Sequence, residues 1–347
     1  MRRYLTHLTI SAATAVAATV TMVWLVDPMY QFRRPEHFQP RYYRGIERFQ
    51  NIGIAKNFDY DTVIIGNSMS ENFSTRQIWN ELGWKAVNLS MSGSSGYEQN
   101  RLLQYAIATG KVRRVIWLVQ WYSFSDPDYV SKDVAYLQGI IDNKPSYLFE
   151  YYLANLQTLQ WVVKLALRIG GETDMDRAWN WSDAAVFGCE SISRGYRYSV
   201  HPDPARLADR HRRMPEDIRK MGASVEKNLL EPIRKNPNVQ FYVITAPHSV
   251  WSYRAISKTN PDALWLIDGF RKPIADFAPG AKNLEVYDFQ SDAGIIYDAS
   301  LYKDMRHYSE QVNRRMVHAI AQGSQVPLMD RHHFLKAIGK PAGCVDD

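Results

Sequence analysis

The sequence predicts an α/β protein with a parallel sheet of about five strands, preceded by an N-terminal transmembrane helix. Short runs of apolar and β-branched residues alternate with longer amphipathic stretches, which is typical of βαβ units. The chain has 347 residues, of which 46% are hydrophobic and 22% charged, so it is long enough to bury a core without disulfide staples. One uncharged apolar stretch, long enough for a membrane span, lies near the N-terminus.

Residues 8–26 form this uncharged stretch, and Arg2 and Arg3 precede it. About 19 residues of helix match a bilayer core of roughly 30 Å at about 1.5 Å per residue. The positive-inside rule keeps the two arginines in the cytoplasm and exports the rest of the chain. Ala15-Val16-Ala17 resembles a signal-peptide cleavage site within the apolar run, so an uncleaved anchor and a cleaved signal peptide both stay open. In either case we expect the rest of the chain to be exported. With the uncleaved anchor, the protein is a single-pass protein of the inner membrane with a periplasmic domain.

We divide the chain into a signal anchor over residues 1–31, a juxtamembrane connector over 32–58, an α/β domain over 59–322 and a C-terminal tail over 323–347. Strands are expected at Thr62–Ile65, Ala86–Leu89, Val112–Gln120, Val239–Thr245 and Leu284–Phe289. Helices are expected at Ser74–Leu82 with Ser74 as N-cap, Tyr97–Thr109, Pro215–Lys235, Pro261–Phe277 and Tyr308–Ala321. This alternation predicts a parallel sheet with helices on both faces.

An insertion at about residues 125–213 interrupts the alternation. Within it, Tyr147–Ile169 is apolar around most of the helical circumference, which leaves burial, membrane contact or a partner surface as alternatives. Trp179-Asn180-Trp181 follows, and exposed rings there would suit stacking on sugar. Cys189 and Cys344 could pair outside the cytoplasm, although their positions in the sequence do not decide it.

A Gly-x-Ser turn follows the first predicted strand and places Ser68 at the carboxyl end of that strand. Ligands of open α/β sheets bind at these ends. Gly66 permits a tight turn, and the backbone N–H groups that follow it could stabilise an oxyanion. Ser70 is a second candidate nucleophile, and a serine-rich turn without chemistry is the alternative.

The second motif is Asp304-Met305-Arg306-His307, just before the last predicted helix. An Asp-x-x-His spacing lets one short loop present an imidazole together with the carboxylate that orients it. A serine hydroxyl needs such a base in order to act as a nucleophile near neutral pH. The two motifs together therefore indicate a Ser-His-Asp triad built from Ser68, His307 and Asp304.

These motifs resemble the SGNH hydrolase superfamily, also called GDSL-like, over roughly residues 59–322 apart from the insertion. The resemblance implies a flavodoxin-like three-layer α/β/α fold, with Ser68 as nucleophile, His307 as base and Asp304 as acid. The commonest form of the first motif is Gly-Asp-Ser, where this chain has Gly66-Asn67-Ser68. An anchor followed by an exported domain is similar to the layout of the D-alanyl-lipoteichoic acid transfer protein and of an envelope family associated with exopolysaccharide gene clusters.

The same resemblance suggests further oxyanion and substrate-binding residues. Gly93 fits the glycine that follows the second strand, and Asn67 precedes the nucleophile. The third block normally supplies an asparagine within Gly-x-Asn-Asp, but this chain has Gln120, which could donate an amide hydrogen bond or belong to the strand. His248 follows the fourth strand and either lines the cleft or is a histidine of a surface loop.

The function predicted from these features is a membrane-anchored acyl transferase or esterase that acts on O-acyl groups of a cell-envelope or extracellular polysaccharide. The expected partners are an acylated glycan or acyl donor, a membrane-bound O-acyltransferase or polysaccharide export proteins, and the membrane itself. No cofactor, metal site or nucleic-acid partner is predicted. The alternatives are a non-catalytic glycan-binding or scaffold protein of a polysaccharide assembly complex, and an exported esterase unrelated to polymer.

Overall fold

A computed structural model of the protein describes residues 2–36, 38–130, 139, 141–142, 144–199, 204–259, 262–326, 328, 331–339 and 343–345. The α-helices of this part are α1 (Arg2–Val26), α2 (Glu47–Asn57), α3 (Thr75–Leu82), α4 (Gly96–Ala108), α5 (Pro145–Leu148), α6 (Leu156–Ala166), α7 (Met175–Trp179), α8 (Cys189–Ser199), α9 (Pro204–Val225), α10 (Glu231–Lys235), α11 (Val250–Thr259), α12 (Ala263–Phe277), α13 (Ala293–Ile296), α14 (Glu310–Ala321) and α15 (Arg331–Ile338).

The chain divides into two compact units. The first unit consists of Met1–Asp59 and Lys132–Ala178, and the second of Tyr60–Ser131 and Trp179–Asp347. A large part of the predicted insertion therefore groups with the N-terminal segment.

The second unit contains a five-stranded sheet in which every pairing is parallel. Its strands are β1 (Thr62–Ile65), β2 (Ala86–Asn88), β3 (Arg114–Val119), β4 (Gln240–Thr245) and β5 (Leu284–Asp288). They are arranged in the order β2-β1-β3-β4-β5. The predicted α/β class and all five predicted strands are confirmed, with ends that differ by at most two residues. From β1 the chain adds β2 on one side and then β3, β4 and β5 on the other, so a switch point lies between β1 and β3. Folds of this kind bind ligands at the switch point, next to the residues that follow these two strands.

The strands are buried on both faces, which explains why their sequences are continuous apolar runs rather than alternating ones. Ile64 and Ile116 lie on one face and pack in a core with Met316 of α14. Neighbouring residues along a strand point to opposite faces, so Trp117 lies on the other face. There its indole N–H donates to Gln99 of α4 over 2.9 Å.

Helix boundaries follow local chemistry where a cap is present. The side chain of Ser74 accepts a hydrogen bond from the backbone of Gln77, so the predicted N-cap of α3 is confirmed. The prediction that a helix begins at Pro215 was wrong, because α9 begins at Pro204 and contains Pro215. Proline removes one intrahelical hydrogen bond, but Pro215 is exposed, so water can satisfy the carbonyl that this bond would have used.

The C-terminal segment is tied to the second unit by several contacts. Cys189 and Cys344 form a disulfide with their Cα atoms 5.0 Å apart. Phe334 of α15 is buried in a small core with Tyr253 and Ile267. The question of cysteine pairing, which the sequence left open, is thus answered by proximity in the fold.

The first unit contains α1, which is long and apolar enough to cross a membrane and is the one helix of the described residues that meets this criterion. Nearly all of its residues are exposed. The predicted connector is more ordered than its polar composition suggested, because it contains α2, whose residues 50–55 are buried. The phenol of Tyr30 is buried and donates to the carbonyl of Arg41 over 2.6 Å.

Candidate active site

The turn after β1 holds Ser68 in a conformation that requires glycine at position 66. Gly66 has φ +153°, and a Cβ there would lie 2.5 Å from Ser70 Oγ and 2.7 Å from the Leu118 carbonyl oxygen. The Gly66 carbonyl accepts hydrogen bonds from the Met91 N–H at 3.0 Å and the Ser94 hydroxyl at 3.1 Å. The glycine thus lets the turn after β1 approach both the loop after β2 and the end of β3 closely.

Ser68, His307 and Asp304 form a continuous chain of hydrogen-bonding groups. Ser68 Oγ lies 3.1 Å from His307 Nε2, and His307 Nδ1 lies 2.8 Å from Asp304 Oδ2. A carboxylate can only accept, so Nδ1 carries the proton and Nε2 is left as the acceptor for the serine hydroxyl. This is the arrangement in which a neutral imidazole can remove the serine proton.

Asp304 is held as a carboxylate by the loop that contains it. Its Oδ1 accepts the backbone N–H groups of Arg306 at 2.7 Å and His307 at 2.8 Å. Burial alone would raise the pKa of Asp304, but the hydrogen bond and charge of His307 and the two backbone N–H groups lower it to about 2. The carboxylate is therefore ionised throughout the neutral pH range.

The loop between β5 and α14 fixes the spacing of these two residues. Tyr302 and Tyr308 form an antiparallel bridge, and the N–H of Lys303 donates to the His307 carbonyl at 3.0 Å. Residues 303–307 are thus a closed loop, and α14 begins only at Glu310. The predicted helix start at Tyr308 was two residues early because Tyr308 belongs to this bridge.

The rival nucleophile Ser70 is engaged elsewhere. Its side chain is buried, and its hydroxyl donates to the Asn67 carbonyl over 2.6 Å. Ser68, by contrast, is partly exposed and is the serine that contacts the imidazole.

Asn67 and Gln120 pair with each other. Asn67 Nδ2 donates to Gln120 Oε1 over 2.6 Å and to Ser123 Oγ over 3.2 Å, while Asn67 Oδ1 accepts the Met69 N–H at 3.1 Å. Gln120 directly follows β3, and its buried Nε2 has no acceptor among the described residues. The amide pair therefore links the nucleophile turn to the end of β3, with one donor of Gln120 unused.

Gly93 lies in the loop after β2 with φ +65°, a conformation that favours glycine. It lines a cavity of about 310 Å³ together with Tyr122 and Ser123. Within the described residues, the backbone N–H groups of Ser68 and Gly93 have no protein acceptor. Two donors are thus unoccupied in the loops after β1 and β2.

His248 is buried, so the alternative of a surface-loop histidine was wrong. Its ring stacks on Tyr122 at 5.7 Å and on Tyr253 at 5.9 Å between ring centroids. Burial lowers the pKa of His248 to about 3, and the charges of Arg306 and His307 lower it further while Asp304 opposes them. His248 is therefore neutral at physiological pH and forms part of the wall behind Tyr122.

Trp181 is a site residue whose role the sequence reasoning missed. Its indole N–H donates to the Ser68 carbonyl over 2.7 Å, and its ring packs edge-on against His307 at 5.5 Å. Trp179 is also buried, with its N–H donating to the Asn88 carbonyl at 3.1 Å. The idea that these two rings are exposed for sugar stacking was wrong. The sequence carries no signal for this role, because Trp181 is separated from Ser68 by 113 positions and only the fold brings them together.

Among the described residues, no group of three or more His, Cys, Asp or Glu side chains is placed to hold a metal ion.

Comparisons of the sequence and the structure with known proteins give a distant structural likeness. No family model and no curated protein matches the sequence. A solved structure described as a candidate platelet activating factor from Streptococcus pneumonia is similar over 80% of this chain and 90% of that chain, with 9% sequence identity and a TM-score of 0.41. The likeness is too distant to bear on the chemistry.

Proposed function

We propose that the chain is a membrane-anchored, exported SGNH-like acyl transferase or esterase that acts on O-acyl groups of a cell-envelope or extracellular polysaccharide. The observation that carries this proposal is the sequence of contacts Ser68 Oγ to His307 Nε2 at 3.1 Å and His307 Nδ1 to Asp304 Oδ2 at 2.8 Å. Serine and histidine side chains that serve only packing have no need of this order and direction of hydrogen bonds.

The proposed chemical steps use this geometry. His307 Nε2 takes the proton of the Ser68 hydroxyl as Oγ bonds to the carbonyl carbon of an ester. The resulting oxyanion would be held by the backbone N–H groups of Ser68 and Gly93, and in known enzymes loss of one such donor costs about 3–4 kcal/mol of transition-state stabilisation. The alcohol leaves with the proton from His307, and the acyl-enzyme then passes its acyl group to a sugar hydroxyl or to water.

The cellular setting is part of the same proposal. The length and apolar composition of α1 support a membrane anchor, and the Cys189–Cys344 disulfide supports an oxidising, extracytoplasmic location. A transferase tied to a membrane would suit a donor that is delivered there, such as the product of a membrane-bound O-acyltransferase. The glycan acceptor is the substrate class that the anchored layout favours.

The test is Ser68→Ala. We expect this variant of the full chain to lose cleavage of small aryl acetates and labelling by a fluorophosphonate probe, because the only serine contacting His307 in the described part of the chain is gone. Ser191→Ala is the matched control, since Ser191 lies in α8 and its hydroxyl donates to the Val186 carbonyl rather than to His307. Full activity of Ser68→Ala would overturn the proposal, and an unlabelled but glycan-binding wild type would favour the non-catalytic scaffold.

A further inference from the structure

The first unit carries an exposed apolar surface on the segment 145–169. This segment comprises α5, a π-helical turn at Phe149–Leu153, and α6 with the residues that follow it. Large apolar side chains exposed to more than two-fifths of their area are Phe149, Tyr151, Leu156, Val163, Leu167 and Ile169. Isolated exposed apolar residues are ordinary, but this many within one short segment indicate an interaction surface. Burial, one of the three alternatives left open by the sequence, thus holds for only some residues of the segment, including Tyr152, Val162 and Leu165.

The segment packs against the C-terminal turns of α1. Both α6 and the π-helical turn contact α1, and Val23 is the residue of α1 that is fully buried. The buried phenol of Tyr152 donates to Asp27 Oδ1 over 2.6 Å and accepts the Met29 N–H at 3.1 Å, just beyond the end of α1. The segment that carries the apolar surface therefore lies beside the C-terminal end of α1, a helix that is long and apolar enough to cross a membrane.

Pairs of cationic and aromatic side chains lie near the C-terminal end of α1 and on α6. Arg33 donates to the carbonyls of Trp24 and Leu25 at 2.8 and 2.7 Å, and its guanidinium lies 5.0 Å from the Trp24 ring centroid. Lys164 lies 4.1 Å from the ring centroid of Trp161. Tryptophan rings paired with long basic side chains are typical of the boundary between acyl chains and head groups.

We propose that residues 145–169 form a second membrane-contacting element, which lies in the leaflet that the C-terminal end of α1 reaches. With 11 residues, α6 is about 16 Å long and cannot cross a core of roughly 30 Å, so it rests in the interfacial region. Its exposed apolar side chains enter the acyl chains, and Lys164 and Arg168 reach the lipid phosphates. The attachment to the membrane thus has two parts, a spanning helix and an interfacial segment packed on its end.

The experiment uses the full chain in nanodiscs that hold one copy each, made with either ordinary or dibrominated phosphatidylcholine. A bimane label is placed on a cysteine introduced at Leu156, Val163 or Leu167, with the native disulfide kept oxidised. We expect brominated lipid to quench all three labels several-fold more than a label at Val186, an exposed apolar residue of the second unit. A label at Val16 in α1 is the positive control.

Each outcome bears on the proposal. Quenching by brominated lipid, together with protection from aqueous iodide, would support it. Labels that iodide quenches and brominated lipid does not would overturn it in favour of a second copy or a protein partner on this face. The three labelled positions are exposed, so the substitutions leave packing intact, and agreement among them separates lipid contact from misfolding of any one variant. The result does not depend on whether the chain has catalytic activity.

Discussion

At the scale of single residues, His307 depends on Asp304 for its tautomer. Asp304 Oδ2 holds the proton on Nδ1, and Oδ1 is fixed by two backbone N–H groups of the same loop. An amide at position 304 could present an N–H to Nδ1 instead, which would place the imidazole proton on Nε2 and remove the acceptor for Ser68.

Asp304→Asn should therefore lower kcat for ester cleavage by about 10⁴-fold, as the loss of the correct tautomer does in serine proteases. The measurement is steady-state kinetics on an aryl acetate, with far-UV circular dichroism to verify the fold. Asp183→Asn, which alters an exposed aspartate of the same unit, serves as the control. Unchanged kcat in Asp304→Asn would show that His307 acts without this carboxylate.

Asp304 should also affect how the stability of the fold changes at acidic pH. The pKa of Asp304 is lowered from 3.8 to about 2, so the unfolded state binds more protons than the folded state between these values. Its contribution to stability is present above about pH 4 and is lost as pH falls towards 2. Urea unfolding midpoints between about pH 2 and 5 should thus fall less steeply with acid in Asp304→Asn than in the wild type. Parallel curves would contradict this assignment.

Single residues also show where sequence reasoning stops. Ser68 and Ser70 are equivalent candidates in the sequence, and only the fold shows that Ser70 Oγ is buried on the Asn67 carbonyl. His248 could not be assigned to surface or core from its loop, because its burial depends on Tyr122 and Tyr253, which are distant in sequence.

At the scale of elements, the turn from β1 to α3 packs closely against the sheet. Gly66 approaches both Ser70 in its own turn and the Leu118 carbonyl of β3. Backbone atoms of a buried strand cannot move aside, so the turn conformation is tied to the sheet. The position of the site thus depends on the pairing of β1 with β3 as well as on its side chains.

Gly66→Ala should destabilise the fold by about 2–4 kcal/mol, since it adds a steric clash to an unfavourable backbone conformation. Gly83→Ala is the matched control, because Gly83 has φ +69° but nothing within 4 Å of the position of a Cβ. The control should lose only about 1 kcal/mol. Urea unfolding of the two variants measures the difference, and equal losses would contradict the close approach seen at Gly66.

At the scale of the whole molecule, a disulfide bond closes a long loop of the chain. Cys189 and Cys344 are separated by 155 residues, and both belong to the second unit. Cross-links over long loops restrict the unfolded chain more than the folded one. The bond joins α8, which begins at Cys189, to the C-terminal segment.

Cys344→Ser should therefore lower the free energy of unfolding by about 2–4 kcal/mol. Reduction of the wild type with dithiothreitol should produce the same loss, and the variant should be insensitive to the reductant. Urea unfolding with and without reductant measures both effects. A wild type that keeps its unfolding midpoint after complete reduction would contradict the prediction.

The sequence by itself determined the parallel sheet and the choice of Ser68, Asp304 and His307 as candidates, because apolar strand runs, turn glycines and an Asp-x-x-His spacing are local properties. Only the tertiary structure decided the partners of Asn67, the burial of Trp181 and the pairing of the two cysteines. These depend on which distant segments meet, and such meetings are selected by packing and hydrogen-bond satisfaction over the whole fold, which no local pattern encodes.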